Sequence, residues 1–463
     1  MPEYKTPGVY VEEIPASPRS IQGVETSIPA FIGATQKAEK TTTADLFRVP
    51  VSISSMIEYE RYFGFAKPET GVTITIDTTM AAAPIAKASI QNKVPYLMYN
   101  SVRHFFANGG SNCYIISIGD YSRPVEQADL LAGLNKAAET PGITMMLFPD
   151  AMWLPAAAYY NVCKEALQQC AEKNNRIALI DVWRSDAGQY AIDELRSYDL
   201  GNTHQLSFGA AYYPHLISSY NYTYDEASII CSTNTSLNGT LKELKQKDPI
   251  AYSVAIQSIS ELKVLLPASP AVAGIYARVD NNRGVWKAPA NEIVNDTVQP
   301  EVFIDNKIQD GLNVHVTGRS INSVRHFLGK GVLVWGARTL AGNDNEWRYI
   351  PVRRFFIMIE ESIRSSTSFV VFEPNDASTW TRVKSMIDNF LISHWRQGAL
   401  AGSKPEHAFF VKIGLNETMT ALDISEGRMI IEIGIAMMRP AEFIILRITH
   451  LVSKKEIAWG SGY

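Results

Sequence analysis

Ile177-Ala-Leu-Ile-Asp-Val182 is an apolar run closed by one carboxylate, and it lies between two helical patterns at 155–173 and 186–198. The same alternation extends outward in both directions. Cys113-Tyr-Ile-Ile-Ser-Ile118 and Ile143-Thr-Met-Met-Leu-Phe148 read as strands, 124–139 between them reads as a helix, and 206–213 reads as a further strand. Strands that are apolar at nearly every position are buried on both faces. The pattern therefore predicts a mixed α/β fold whose parallel sheet carries helices on each side. The domain expected from it spans 112–275.

The chain has 463 residues, more than one core ordinarily serves, so two to four domains are expected. Apolar residues make up 46% and charged residues 19%, the balance of a globular protein. A net charge of −4 argues against nucleic acid as a partner. Four cysteines are too few for a disulfide framework, and Cys163 and Cys170 are expected to share a buried helix face. No run of 18 apolar residues occurs, which argues against direct membrane insertion. The start Met1-Pro-Glu-Tyr-Lys-Thr-Pro-Gly8 has neither a basic region nor an apolar run, so a protein made and folded in a cytoplasm is expected.

Upstream of the sheet, Val9-Tyr-Val-Glu-Glu-Ile14 is a short strand between proline-bearing turns, and Ile28-Pro-Ala-Phe-Ile-Gly33 is a second. A lone strand of this length cannot bury itself; it pairs either within its own chain or with a neighbour. Strands are expected at 49–53 and 71–77, with helices at 54–63, capped by Ser54 or Ser55, and at 95–108. Downstream, helices are expected at 321–328, 351–364 and from an Asn375 or Asp376 cap to 396, with strands at 369–372, 408–413, 429–437 and 442–450. In Met429-Ile-Ile-Glu-Ile-Gly-Ile-Ala-Met437 every odd position is apolar, the mark of a half-buried strand.

An enzyme on such a sheet places its site beyond the strand ends, here near Asp150 and Asp181. An α/β enzyme with a site above the 112–213 sheet is thus the alternative reading. Against it, no dinucleotide, phosphate-loop, nucleophile-elbow or H-E-x-x-H motif occurs, and the eight histidines lack metal spacing. Carboxylates at strand ends are more simply caps of the following helices. No catalytic residue, cofactor or metal is expected.

Several longer words point elsewhere. They are Thr6-Pro-Gly-Val-Tyr-Val-Glu-Glu-Ile14, the small-residue segment 270–280, Gly284-Val-Trp-Lys-Ala-Pro-Ala-Asn291, Gly331-Val-Leu-Val-Trp-Gly-Ala-Arg-Thr-Leu340, Asn345-Glu-Trp-Arg-Tyr-Ile-Pro-Val-Arg-Arg-Phe-Phe356, Phe369-Val-Val-Phe-Glu-Pro-Asn375 and Pro440-Ala-Glu-Phe-Ile-Ile-Leu-Arg-Ile448. Together they resemble the contractile phage tail sheath family, most of all the sheaths of extracellular contractile injection systems. Glycines and small side chains in these words allow close backbone packing, and Trp286 and Trp335 supply large anchors.

The resemblance implies a sheath core domain built from the N-terminal arm and the C-terminal quarter, with a large α/β insertion between. The implied divisions are 1–35 (arm and first core strand), 36–111 (outer insertion), 112–275 (inserted sheet domain), 276–345 (return segment) and 346–463 (C-terminal core with a terminal strand arm). It implies a structural protein, not an enzyme, that forms homo-oligomeric helical or stacked-ring sheaths around an inner tube protein. Baseplate and terminal cap proteins are its other implied partners, with paralogous sheath subunits allowed. Assembly is implied in a bacterial cytoplasm, followed by release in a phage-tail-like particle or virion tail. Arm strands Val9, Tyr10, Val11, Glu12 and Ile14, and Phe443, Ile444, Ile445, Leu446 and Ile448, are implied to add to core strands of other copies. The receiving residues are Phe409, Val411, Ile413, Ile431, Ile433 and Ile435. Arg382, Lys384, Asp388, Glu417, Asp423, Glu426 and Arg428 are candidates for touching the tube.

Overall fold

The computed structural model describes residues 20–77, 84–185, 187–233 and 239–442. One nine-stranded sheet dominates them. Its strands in chain order are β1 (Pro29–Gly33), β2 (Val51–Ile53), β3 (Cys113–Ser117), β4 (Met145–Leu147), β5 (Ile177–Asp181), β6 (Gly209–Tyr213), β7 (Glu292–Ile293), β8 (Ile321–Phe327) and β9 (Gly331–Trp335). Across the sheet they run β7-β9-β8-β6-β5-β4-β1-β3-β2. The six strands from β8 to β3 are parallel, and antiparallel strands close both edges.

Helices cover both faces, as continuous apolar strands require. They are α1 (Met56–Phe63), α2 (Met98–Ala107), α3 (Gln127–Glu139), α4 (Ala156–Lys173) and α5 (Ser269–Arg283). Neighbouring residues of β1 show the two faces. Phe31 meets Phe105 of α2 with ring centroids 5.5 Å apart. Ile32 lies against Gly133 of α3, where an added Cβ would come within 2.5 Å of its methyl group. The four cysteines are free and buried, Cys163 and Cys170 on α4 as expected.

Three local expectations fail. Residues 321–328 form strand β8, not a helix: an apolar run this short carries no decisive period, and Gly329 and Gly331, both at positive φ, close a tight hairpin into β9. Residues 369–372 are not a strand; a 3-10 turn, Ser368–Val370, and Phe372 at φ 74° reverse the chain instead. The helix expected over 186–198 shrinks to Ile192–Ser197. The division of the chain also differs. Pro29–Gly33 is buried at every position and sits at the centre of the large sheet, and β2, α1 and α2 pack on the same body. These described elements, β1, β2, α1 and α2, therefore do not stand apart from the 112–213 strands.

Residues 72–77, with the alternation of a half-exposed strand, join Ile85–Ile90, Ile230–Thr233 and Gly239–Thr240 in a small separate sheet with its own core.

The C-terminal unit is built from α6 (Ile350–Ser366), α7 (Ala377–Arg396), β10 (Phe409–Lys412) and β11 (Glu432–Ile435). Asp376 caps α7 by accepting from the Thr379 amide, and Gly398 at φ 79° ends it. Val383, Ile387 and Leu391 form its buried stripe. Helix α6 serves two cores at once: Ile350 and Ile357 belong to the large core, while Phe355, Ile359 and Ile363 belong to the C-terminal one. It is the bolt between the two.

Candidate assembly interface

The alternation in 429–437 resolves into one wetted and one dry face. In the antiparallel ladder Phe409 faces Ile435 and Val411 faces Ile433, and all four turn toward α7 and the C-terminal core; Ile431 packs there too, and Ile413 is buried. Phe410 and Gly434 pair on the other face, where a Cβ at Gly434 would fall 2.2 Å from the Phe410 ring. Glycine is needed at 434 because the aromatic ring lies across it.

Among the described residues this sheet has two strands, and neither β10 nor β11 has a second partner strand. The Ala436 amide donates to the Ala408 carbonyl. By the alternation of an antiparallel ladder, the backbone groups of Phe409 and Val411, and of Ile433 and Ile435, then point away from the pair. Among the described residues, two strands packed on one helix layer leave two sheet edges without a partner strand, with the Phe409 amide taken up by the Pro405 carbonyl.

The described residues nearest each terminus, 21–26 and Glu442, are tied down on this side of the molecule. On the N-terminal side, the Gln22 and Val24 amides donate to the hydroxyls of Ser366 and Ser362, one turn apart on α6, and Ile21 enters the C-terminal core. Arg354 of α6 grips Asp280 of α5 with both terminal nitrogens, at 2.9 and 2.5 Å, and donates to the Thr26 carbonyl at 2.8 Å. On the C-terminal side, Arg338 holds Glu442 in a fork, with Tyr349 donating to the same carboxylate. The implied arm strands, Val9 to Ile14 and Phe443 to Ile448, lie outside the described residues.

The seven charged candidates for tube contact come from α7 and from 417–428, two regions joined where Asn375 donates to the Arg428 carbonyl. Arg382 pairs with Glu373 and stacks on Phe369. Asp423 closes a capping box with Thr420, which draws its carboxyl down to about 2 through hydrogen bonds from Thr420 and Arg428. Arg428 also pairs with Glu426. Lys384 and Asp388 stand one turn apart on α7, where partial burial raises the Asp388 pKa.

The two strand-end carboxylates are committed to backbone. Asp150 accepts from the amides of Ala34, Leu97 and Met98, and Asp181 from those of Ala268 and Ser269. They cap α2 and α5, helices remote in sequence, and not the following helices. Burial pushes Asp150 up to about 7 and Asp181 up to about 6, against the pull of those amides. Among the described residues no group of three or more His, Cys, Asp or Glu side chains could hold a metal.

The contacts that sequence reasoning missed are those of three buried arginines, Arg338, Arg353 and Arg354. Their signal was present: Arg353-Arg354 and Arg338 sit in otherwise apolar words, and a buried guanidinium demands a carboxylate or a ring. Arg353 took the second option, lying 3.7 Å over Phe208 and 4.1 Å over Trp347.

Comparison with known proteins bears on this geometry directly. The Phage tail sheath C-terminal domain family matches residues 342–450. The chain is also similar, at 30% identity, to the anti-feeding prophage (AFP) helical sheath in its contracted state, covering 96% of this chain and 99% of that one with a TM-score of 0.66. The chain belongs to the tail sheath family. The sheath of an extracellular contractile injection system, the PVC sheath complex in its contracted state, is 28% identical over 98% of this sheath chain and 99% of its own, TM-score 0.66. Tail sheath proteins of Vibrio phage KVP40 and Enterobacteria phage T4 are 28% and 24% identical over 131 and 139 residues. Those alignments take in 28% and 29% of this sheath chain and only 19% and 20% of the phage proteins. The family is a structural one, and the alternative of an α/β enzyme has no support.

Proposed function

We propose that the chain is the structural and motor subunit of a contractile sheath. Copies stack as rings or helical strands around an inner tube protein, in an extended and metastable lattice. Collapse to a shorter, wider lattice drives the tube through a target membrane. The free energy is stored during assembly, so no nucleotide enters.

The observation that supports this most is the β10–β11 sheet, without further partner strands among the described residues, beside the tied-down residues nearest each terminus. Residues 9–14 and 443–448 of other copies complete it by strand addition. Each ladder hydrogen bond contributes about 0.5–1.5 kcal/mol net, so a single arm is weak and the lattice supplies the strength. Arg382, Lys384 and Asp388 on α7, with Glu417, Asp423, Glu426 and Arg428, are the proposed tube-facing charges. Baseplate and cap proteins bound the two ends of the sheath, assembled in a bacterial cytoplasm and released in a phage-tail-like particle or virion tail.

Negative-stain microscopy of the purified full chain tests the proposal. Striated tubes are expected. Discrete particles of fixed size, the product an α/β enzyme would give, contradict it.

A further inference from the structure

The word Trp335-Gly-Ala-Arg-Thr339 occupies a strategic place. Asn322 of β8 donates to the carbonyls of Ala211 and Arg338 and accepts from the Arg338 amide at 2.8 Å. A Cβ on Gly336 would fall 2.7 Å from the Asn322 side-chain oxygen, which is why glycine stands there. Beyond it the backbone is sewn to 347–350 and to β6: Thr339 donates to the Arg348 carbonyl, Ile350 to Ala337, and Leu340 to Gly209. Arg338 thus projects from a segment hydrogen-bonded to β8, to β6 and to 348–350.

Its guanidinium, 5% exposed, meets Glu442 at 2.9 Å through Nε and 2.5 Å through Nη2. The Tyr349 hydroxyl donates to the same carboxylate at 3.3 Å, and Arg338 Nη1 donates to the Asn313 carbonyl at 3.4 Å. The segment leading there has little else to hold it. The Ala436 carbonyl accepts from the Ala401 amide, its amide donates to the Ala408 carbonyl, and Met437 bridges Leu400. For 438–442, among the described residues, every polar contact runs through the Glu442 carboxylate. Packing does not replace them, because the strap crosses a groove of about 1070 Å³ floored by Trp286 and Trp335, and Met438 is exposed.

We infer that Arg338, Tyr349 and Glu442 form a shackle that fixes where the C-terminal arm leaves the subunit. This rests on the proposed sheath function. Arg338 is a positioning residue: it does not touch the neighbouring copy but sets the origin and direction of the segment that does. An arm whose root is fixed meets its acceptor edge at a higher effective concentration and loses less freedom on pairing. The same contact passes load from the arm into β8, β9 and β6 through Asn322, so the arm pulls on a sheet and not on a loop. The fork matters, since lysine offers a point charge in place of two parallel donors.

Glu442→Ala in the full chain is the test, since that carboxylate carries every polar contact of 438–442 among the described residues. In unassembled subunits under native conditions, cleavage within 438–442 by a non-specific protease is expected to quicken at least tenfold while cleavage within β8 and β9 stays at the wild-type rate. The concentration needed for sheath assembly should rise at least tenfold, with Glu442→Gln and Arg338→Lys in between. Unchanged cleavage within 438–442 overturns the shackle whether or not sheaths form, and so does equal quickening within β8 and β9, which marks a merely structural role. Quickened cleavage confined to 438–442 with a wild-type assembly threshold also overturns it. Failure of the wild-type chain to assemble counts against the sheath proposal, and the cleavage result then judges the shackle by itself.

Discussion

Replacing Arg354 with methionine lowers the stability of the subunit by about 3–5 kcal/mol, the range for stripping one partner from a buried ion pair. Both side chains of the Arg354–Asp280 pair are nearly inaccessible, at 4% and 5% exposure. Without the guanidinium, the Asp280 carboxylate keeps only the Thr26 hydroxyl, and the Thr26 carbonyl loses its donor. Methionine fills the volume beside Tyr276, whose ring lies 4.5 Å from the guanidinium carbon, so the loss is electrostatic and not a cavity. The pair ties α5 of the large body to α6 and to the N-terminal segment, and the junction should loosen with it. Urea unfolding measures the change. Arg354→Met with Asp280→Asn, which removes both charges, should recover most of the loss. A single variant within 1 kcal/mol of wild type, on the order of an exposed pair, would contradict the account.

Gly274→Val costs about 3 kcal/mol or more, the upper end of overpacking penalties. Helices α5 and α2 touch through backbone here. A Cβ at 274 would sit 2.3 Å from the Phe105 carbonyl oxygen and 2.9 Å from the Asn108 Cβ. A carbonyl inside a helix cannot step aside, so the helices must separate. Asn108 cannot yield either, since its side chain joins the His104 and Asn295 carbonyls and accepts from the Asn295 amide. Soluble yield and unfolding midpoint report the effect, and Gly274→Ala should lie between the variant and wild type. A valine variant as stable as wild type would show that the two helices can slide apart freely.

The large sheet was readable because its strands are apolar on both faces and its helices are long. Ile177–Asp181 and Ala156–Lys173 fall within one or two residues of expectation. The small-residue segment 270–280 was rightly seen as a close-packing device, though only the structure names Phe105 as what it packs on. The place of β1 was not readable. Its five residues say that it is buried, not that parallel partners 84 and 116 residues away, Tyr114 and Met146 opposite Ala30, receive it. Strand β8 was lost for a related reason: Ile321 and Val324 fit a helical period and a buried strand equally well, and pairing with β6 and β9 decided between them.

At the candidate interface, the dry face of β10 and β11 followed from alternation alone. The long-range ion pairs did not, because nothing local links Arg338 to a glutamate 104 residues on. Among the charges on α7 and in 416–428, several serve as caps and local pairs, which alternation and spacing do not reveal.

The central claim is that strands at the two termini are completed by other copies of the chain. Deletion of residues 2–14 tests it most directly, with the full chain imaged alongside. The account predicts soluble, folded subunits that form no sheaths. Normal contractile sheaths from the shortened chain would contradict it.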